Sequence, residues 1–151
     1  MRKKIAILGA TSHIAKGLIL NFAQSNEYEL FLFARLLGKV KNFLKAHNIV
    51  SRRQIYDFGH FQRGKYDVII NCVGLGTPAK VKEASGEVFK LTEEFDNMIL
   101  EYLRRYPATL YINFSSGAVY HISVNDIEPE HYYGIAKLHQ EAKHRALKRY
   151  D

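Results

Sequence analysis

Short apolar runs alternate along this chain with segments whose apolar residues recur at helical spacing. The runs are KKIAILG, YELFLFA, QIYDF, DVIINCVG and TLYINFSS, and the helical segments are IAKGLILNFAQS, LLGKVKNFLKAH, residues 88–105 and the stretch around YYGIAKLHQE. Strands that are apolar on both faces need cover on both sides, so this alternation indicates a parallel sheet with helices on its two faces. We therefore predict one domain over residues 1–151 with a doubly wound, Rossmann-like α/β fold in three α/β/α layers.

The composition excludes several other classes of protein. The chain has 151 residues, of which 47% are hydrophobic and 25% charged, as in a soluble globular domain. Its apolar runs are far shorter than the roughly 20 residues that span a bilayer, and MRKKIAILG has no signal-peptide pattern. We expect a cytoplasmic location and no membrane partner. The single cysteine, Cys72, cannot form an internal disulfide.

The formal net charge of +7 would suit an anionic partner such as nucleic acid. The closing helix is especially basic, with Lys143, His144, Arg145, Lys148 and Arg149. However, basic residues are spread along the whole chain and no recognised nucleic-acid motif accompanies them. A solvated helix face explains the charge better, and we expect no nucleic-acid partner.

The loop GATSHIAKG follows the first strand, where ligands bind in sheets of this type. Gly9 permits a tight turn, and the small residues Ala10, Thr11 and Ser12 would let a pyrophosphate approach the amides that begin the next helix. A plain strand-to-helix turn capped by Ser12 accounts for the same residues. Both interpretations remain open from this loop alone.

A tyrosine and a lysine stand four residues apart in YYGIAKLHQE. On a helix this spacing places Tyr133 and Lys137 on one face. An ammonium favours the phenolate and so lowers the tyrosine pKa from its usual value of about 10, which would allow the pair to move protons. A lysine whose stem packs on a tyrosine explains the spacing as well.

Four segments occur in the order GATSHIAKG, NCVG, SSGAVY and YGIAK, which resembles the short-chain dehydrogenase/reductase superfamily. SSGAVY, an acidic loop with Pro129 and then YGIAKLHQE are most similar to its extended branch, the NAD(P)-dependent epimerases and dehydratases of nucleotide sugars. The resemblance implies that Tyr133 is the acid/base, that Lys137 lowers its pKa and binds the nicotinamide ribose, and that Ser116 hydrogen-bonds the substrate. Ser115 is the alternative hydroxyl, and the family pattern selects Ser116. The implied cofactor-binding residues are Gly9, Thr11, Ser12, His13, Ile14, Arg35, Asp57, Phe58, Gly74, Tyr133 and Lys137.

The end of the second strand bears on the choice of cofactor. NAD-preferring relatives carry an acidic residue where this chain has Ala34, and Arg35 follows. A guanidinium suits a 2′-phosphate, and Lys39 lies one helical turn further on, so we expect NADP to be preferred and NAD to be accepted. The alternative interpretation is that Arg35 is a surface residue that binds no ligand. Asp57, after the third strand, is similar to the aspartate that contacts adenine in the family.

The chain also departs from the family pattern. Of the three usual loop glycines only Gly9 remains. The other two places are taken by Ser12 and Ala15, or by His13 and Ala15 on the spacing of the other branch, and each added Cβ narrows the approach of a pyrophosphate. Gly117 and Ala118 stand where 4,6-dehydratases carry an acidic pair, so epimerisation or ketone reduction is favoured over dehydration. The chain ends with the helix of Tyr133 and Lys137, so we expect a fragment that lacks the substrate-binding portion.

These observations predict an NAD(P)-dependent epimerase or reductase of a nucleotide sugar, with no metal site. The alternative is a regulatory protein that binds NAD(P) without catalysis, because the fold does not decide between the two. The oligomeric state is left open, with a homodimer among the alternatives.

Overall fold

Five parallel strands form one sheet in this computed structural model, which describes residues 1–49, 53–74, 86–122, 125 and 127–147. The strands lie in the order β3-β2-β1-β4-β5, and every neighbouring pair is parallel. Their bounds are Lys3–Leu8 for β1, Tyr28–Phe33 for β2, Arg53–Tyr56 for β3, Val68–Asn71 for β4 and Leu110–Asn113 for β5. The predicted parallel sheet and the doubly wound, Rossmann-like α/β class are confirmed.

The described residues form four α-helices at the places in the chain where the periodicity predicts them. They are α1 (His13–Phe22), α2 (Leu37–Ala46), α3 (Glu87–Arg105) and α4 (Tyr132–Ala146). Helix α3 ends just before Pro107, since the residue before a proline avoids the helical conformation. Short 3-10 helices cover Phe58–Arg63, Gly117–His121 and Pro129–His131. No helix in the described part of the chain is long and apolar enough to cross a membrane.

The chain divides into two compact units. The first contains the whole sheet with α1 and α2, and its core comes from both faces of the central strands. Burying each large aliphatic or aromatic side chain stabilises the fold by about 1.5–3 kcal/mol. This packing fixes the positions of the strand ends from which the loops begin. The fully buried side chains of these strands include Ile7, Leu8, Leu32, Phe33 and Ile69.

The later strands differ from the prediction in their exposure and in where they end. Strand β5 lies at the sheet edge and exposes 55% of Leu110 and 39% of Ile112, so the expectation that every strand is covered on both faces is wrong for β5. Strands β3, β4 and β5 also end before the apolar runs do. At the end of β4 the side chain of Asn71 accepts a hydrogen bond from the amide of Val73 at 3.0 Å.

The second unit contains α3, α4 and residues 114–122. Helices α3 and α4 pack together around Asp96, which is 1% exposed although it is charged. The Lys143 Nζ lies 2.9 Å from Asp96 Oδ2, and His144 pairs with Oδ1 of the same carboxylate. The prediction of a solvated basic face is therefore wrong for Lys143 and His144, because both side chains turn onto α3.

Candidate active site

The turn after β1 requires glycine at position 9 for two reasons. Gly9 has a φ of +76°, a backbone conformation that residues with a Cβ rarely adopt. A Cβ there would also lie 2.8 Å from the Cys72 carbonyl oxygen and 2.9 Å from the Val73 nitrogen. These are backbone atoms of the segment after β4, so they cannot rotate away. Gly9 thus makes the turn and also lets the two loops meet.

The amino terminus of α1 follows directly. Ser12 caps the helix, and its Oγ accepts a hydrogen bond from the amide of Ala15 at 3.2 Å, as the capped-turn interpretation requires. The first amides of a helix have no acceptor within it, so those of His13 and Ile14 point out of the helix end with partial positive charge. Thr11 is half-buried, whereas His13 and Ile14 are exposed. The turn therefore offers an accessible group of amides that suits an anion.

The predicted residues after β2 and β3 lie at the ends of adjacent strands. Phe33 and Tyr56 are register partners, and the Ala34 amide donates to the Tyr56 carbonyl at 3.1 Å. Arg35 and Asp57 follow these two strands, and both side chains are exposed. The Asp57 carboxylate accepts a hydrogen bond from His60 at 3.0 Å, which lowers the pKa of Asp57 below its ordinary value. Phe58 begins the 3-10 helix beyond it.

In the second unit, α4 brings Tyr133 and Lys137 together on one face as predicted. The Lys137 Nζ lies 5.9 Å from the centre of the Tyr133 ring. The phenol hydroxyl is beside Gly74, because a Cβ built on that glycine would be 3.6 Å from the Tyr133 oxygen. Lys137 is 3% exposed, and its ammonium donates to the Phe114 carbonyl at 3.1 Å and to Gln140 Oε1 at 3.3 Å.

The pKa of Tyr133 differs from the expectation. We expected Lys137 to lower it, whereas burial of the phenol raises it above the ordinary value. The geometry gives the reason. The ammonium lies over the ring and is held by Phe114 and Gln140, while the hydroxyl is partly removed from water. Burial therefore favours the neutral phenol.

The two candidate serines have different partners. Ser116 caps the 3-10 helix Gly117–His121, and its Oγ accepts a hydrogen bond from the amide of Ala118 at 3.2 Å. The Ser115 hydroxyl instead donates to the carboxylate of Glu141 on α4. Ser115 thus ties the segment after β5 to the helix that carries Tyr133. Ser116 has its hydroxyl at the start of the 3-10 helix.

Two residues of this unit have positions that the sequence interpretation missed. A Cβ at Gly134 would lie 2.6 Å from the Ala118 carbonyl oxygen, so this glycine permits close packing of α4 on the 3-10 segment. Gln140 is 2% exposed and bonds Lys137. Residues three apart are neighbours on a helix, so the spacing of Lys137 and Gln140 could have indicated the hydrogen bond between them.

Residues 5–150 match the family model described as the NAD dependent epimerase/dehydratase family. The chain belongs to this family. Membership confirms the resemblance to the extended short-chain dehydrogenases/reductases. Among curated proteins none matches the sequence.

Solved structures of epimerases share the fold of this family member. The UDP-Glc/GlcNAc 4-epimerase of Campylobacter jejuni superposes with a TM-score of 0.77 at 17% identity, over 95% of this chain and 48% of its own. The UDP-glucose 4-epimerase of Bifidobacterium longum, solved with NAD+ and UDP, gives 0.73 at 15% identity over 95% and 48%. The UDP-glucuronic acid 4-epimerase of Bacillus cereus, solved with NAD, gives 0.70 at 16% over 94% and 51%. The chain spans about half the length of these proteins.

Proposed function

We propose that this chain is the nucleotide-binding part of an NAD(P)-dependent epimerase or reductase that acts on a nucleotide sugar. The observation that carries the proposal is the position of the Tyr133 hydroxyl beside Gly74, with Lys137 on the same helical face. Family membership supports the nicotinamide cofactor. The UDP-sugar epimerases of similar fold support the substrate class. A homodimer and a cytoplasmic location stay predictions.

The turn at Gly9 fits a diphosphate. Gly9 makes the tight turn that follows β1, and the amides of His13 and Ile14 begin α1 directly after it. Although Ala15 replaces a family glycine, its side chain is fully buried in the protein. That methyl group therefore does not narrow the approach to the amides. Gly9, Thr11, Ser12, His13 and Ile14 would hold the diphosphate.

The second unit would supply the proton chemistry. A hydride can leave an alcohol carbon only as the hydroxyl proton is removed, and a nicotinamide held here would supply the acceptor for that hydride. Tyr133 would take the proton as phenolate, and Ser116 would orient the same oxygen by a hydrogen bond. Because burial raises the pKa of Tyr133, the phenolate needs positive charge nearby. Lys137 supplies one such charge and would also bind the ribose.

We propose that NADP is the preferred nucleotide. Arg35 follows the end of β2 with an exposed side chain, and Ala34 stands where NAD-preferring relatives carry an acidic residue. On this proposal Asp57 and Phe58 contact the adenosine at the end of β3. Two of the epimerases of similar fold were solved with NAD, so the selectivity of this chain has to be measured.

The proposal is tested with a protein that also carries the substrate-binding portion. Tyr133→Phe should lower turnover of UDP-sugars by about 100-fold or more, because a positioned acid/base contributes that much, and should leave nucleotide affinity nearly unchanged. The matched control is Tyr132→Phe. The Tyr132 ring lies 5.4 Å from Phe89, so this variant should keep its turnover. Full turnover of Tyr133→Phe would eliminate this tyrosine as the acid/base.

A regulatory protein that binds NAD(P) without catalysis is the second candidate. The raised pKa of Tyr133 favours it, because a neutral phenol is a poor base. This candidate predicts nucleotide binding with no turnover of any UDP-sugar by the unaltered whole protein. Turnover that depends on Tyr133 would exclude it.

A further inference from the structure

His60 and Asp57 form a hydrogen-bonded pair directly after β3. The His60 Nδ1 lies 3.0 Å from Asp57 Oδ1, and the two side chains are 44% and 60% exposed. The hydrogen bond from His60 lowers the pKa of Asp57, so the carboxylate is ionised at neutral pH and can only accept. The imidazole must therefore carry its hydrogen on Nδ1 and donate it to this oxygen.

The His60 ring is held by stacking on side chains of the sheet. It lies on the Tyr56 ring, with 5.2 Å between the centroids and 19° between the planes. Tyr56 in turn stacks on the fully buried Phe33 at 5.9 Å, and its hydroxyl donates to Gln54. The imidazole thus fixes one oxygen of an exposed carboxylate in advance, which lowers the entropy that a ligand would lose by ordering it.

We propose that His60 is a positioning residue for Asp57, and that it makes this carboxylate selective for an amino group on the base of a bound nucleotide. This role rests on the function proposed above, because it assumes that Asp57 contacts the adenine of NAD(P). With Oδ1 held by the imidazole, Oδ2 accepts from the amino group at C6 of adenine. Hypoxanthine carries an oxygen at that position, which a carboxylate repels.

The test compares NADPH with its deamino analogue, in which hypoxanthine replaces adenine and the nicotinamide is unchanged. Both affinities are measured on the full chain by nicotinamide fluorescence. The unaltered chain should bind NADPH about tenfold more tightly, which is roughly the contribution of one hydrogen bond. The readout is the ratio of the two affinities, because a general loss of nucleotide binding leaves that ratio unchanged.

Two substitutions separate the hydrogen bond of His60 from its stacking. His60→Phe keeps a ring on Tyr56 but has no donor, so the preference for NADPH should fall to about twofold or less. His60→Asn has no ring but carries an amide N–H near the position of Nδ1, so it should keep most of the preference. A purely structural role of the ring predicts the reverse order. If His60→Phe does not fold, His60→Leu replaces it.

The control and a double variant show whether His60 acts through the carboxylate. His47→Phe, the same exchange at the exposed carboxyl end of α2, should leave both affinities unchanged. Asp57→Ala should remove the preference by itself, and adding His60→Phe should then change the ratio no further. A preference that survives the loss of the His60 donor, or that His60→Asn does not keep, would overturn the proposal.

The tautomer of His60 is a second readout, and it needs no nucleotide. Nitrogen-15 NMR in mildly alkaline solution should show the hydrogen on Nδ1, and Asp57→Ala should move it to Nε2. His60→Asn identifies the signal. Hydrogen on Nε2 in the unaltered chain would overturn the positioning contact.

The two readouts separate this proposal from the proposed function. A chain that carries the hydrogen on Nδ1 but binds neither nucleotide would lose the function and the selectivity, while the contact between His60 and Asp57 would stand. A chain that binds NADPH and its deamino analogue equally well would retain the function and lose the role of His60.

Discussion

Gly134 lies so close to Ala118 that a Cβ on the glycine would come within 2.6 Å of the Ala118 carbonyl oxygen and 3.0 Å of its carbonyl carbon. Both are backbone atoms and cannot move aside by a change of rotamer. The contact holds α4, and therefore Tyr133, against the 3-10 segment that Ser116 caps. The glycine after Tyr133 is thus a packing requirement of this unit.

Gly134→Ala should destabilise the chain by about 1–3 kcal/mol, the usual cost of forcing an extra methyl group into a packed contact. The measurement is urea unfolding followed by circular dichroism. Gly17→Ala is the matched control, because Gly17 lies within α1 and nothing is within 4 Å of its added Cβ. That control should be stabilised by about 0.5–1 kcal/mol. Equal changes in the free energy of unfolding for the two substitutions would contradict a tight contact between Gly134 and Ala118.

Asp96 should stabilise the chain in a pH-dependent way. Burial raises its pKa, but hydrogen bonds from His144 and Lys143 outweigh burial, and the net pKa is lowered. A lowered folded pKa gives stability that is present above the unfolded value of about 3.9 and is lost as the pH falls through the folded value. Asp96→Asn should therefore cost about 3 kcal/mol near neutral pH, because the partly buried Lys143 ammonium loses its anionic partner and the His144 ring loses a carboxylate acceptor.

The deficit of Asp96→Asn should shrink as the unfolding free energies are measured at progressively lower pH. Glu93→Gln, an exposed substitution on the same helix, is the control and should change stability by less than about 0.5 kcal/mol. A deficit that stays constant into acid would show that the carboxylate charge of Asp96 does not matter.

The sequence predicted the elements of this fold well because their signals are local. The apolar runs of β1 and β2 and the helical spacing of Phe95 and Ile99 report directly on burial. The exposure of Leu110 could not be predicted, because an edge strand carries the same residues as a central one. Its position depends on which strands pair, which is a long-range property.

The side-chain partners in the candidate site were harder to predict than the positions of its residues. The spacing of Tyr133 and Lys137 correctly placed them on one face of a helix. It could not indicate that Phe114 and Gln140 bind the ammonium, because a backbone carbonyl from another segment leaves no mark in the sequence. The raised pKa of Tyr133 was missed for the same reason, since burial depends on the surrounding packing.

Gly9→Ala should impair both folding and nucleotide binding. The alanine would be strained at a φ of +76° and would press on the Cys72 carbonyl oxygen, which a Cβ would approach to 2.8 Å. We expect a loss of more than about 1 kcal/mol in stability and at least a tenfold weaker affinity for NADPH, measured by its fluorescence. Gly38→Ala in α2, where nothing lies within 4 Å of the Cβ, is the control. An unchanged affinity in folded Gly9→Ala would remove this turn from the nucleotide site.

Tyr133 should make the stability of the chain fall in alkali. Its pKa is raised by burial, so the neutral phenol is favoured in the folded state. The resulting stability is fully present below the unfolded pKa of about 10 and is lost as the pH rises through the folded value. In urea unfolding from about pH 8 to about pH 11, the unaltered chain should lose more stability than Tyr133→Phe. If the unfolding free energies of the two proteins changed with pH in parallel, burial would not shift the pKa of Tyr133.

Arg35 should decide the choice between NADPH and NADH. Its exposed guanidinium follows β2 and can pair with a 2′-phosphate by two hydrogen bonds, so the unaltered chain should bind NADPH about tenfold or more tightly. Arg35→Ala should remove this difference by weakening NADPH alone, and Arg35→Lys should restore only part of it, because an ammonium lacks the planar fork. Lys41→Ala, an exposed cation on α2, controls for a general loss of positive charge. Equal affinities of the unaltered chain for the two nucleotides would refute the preference, and a preference that survives Arg35→Ala would assign it to another residue.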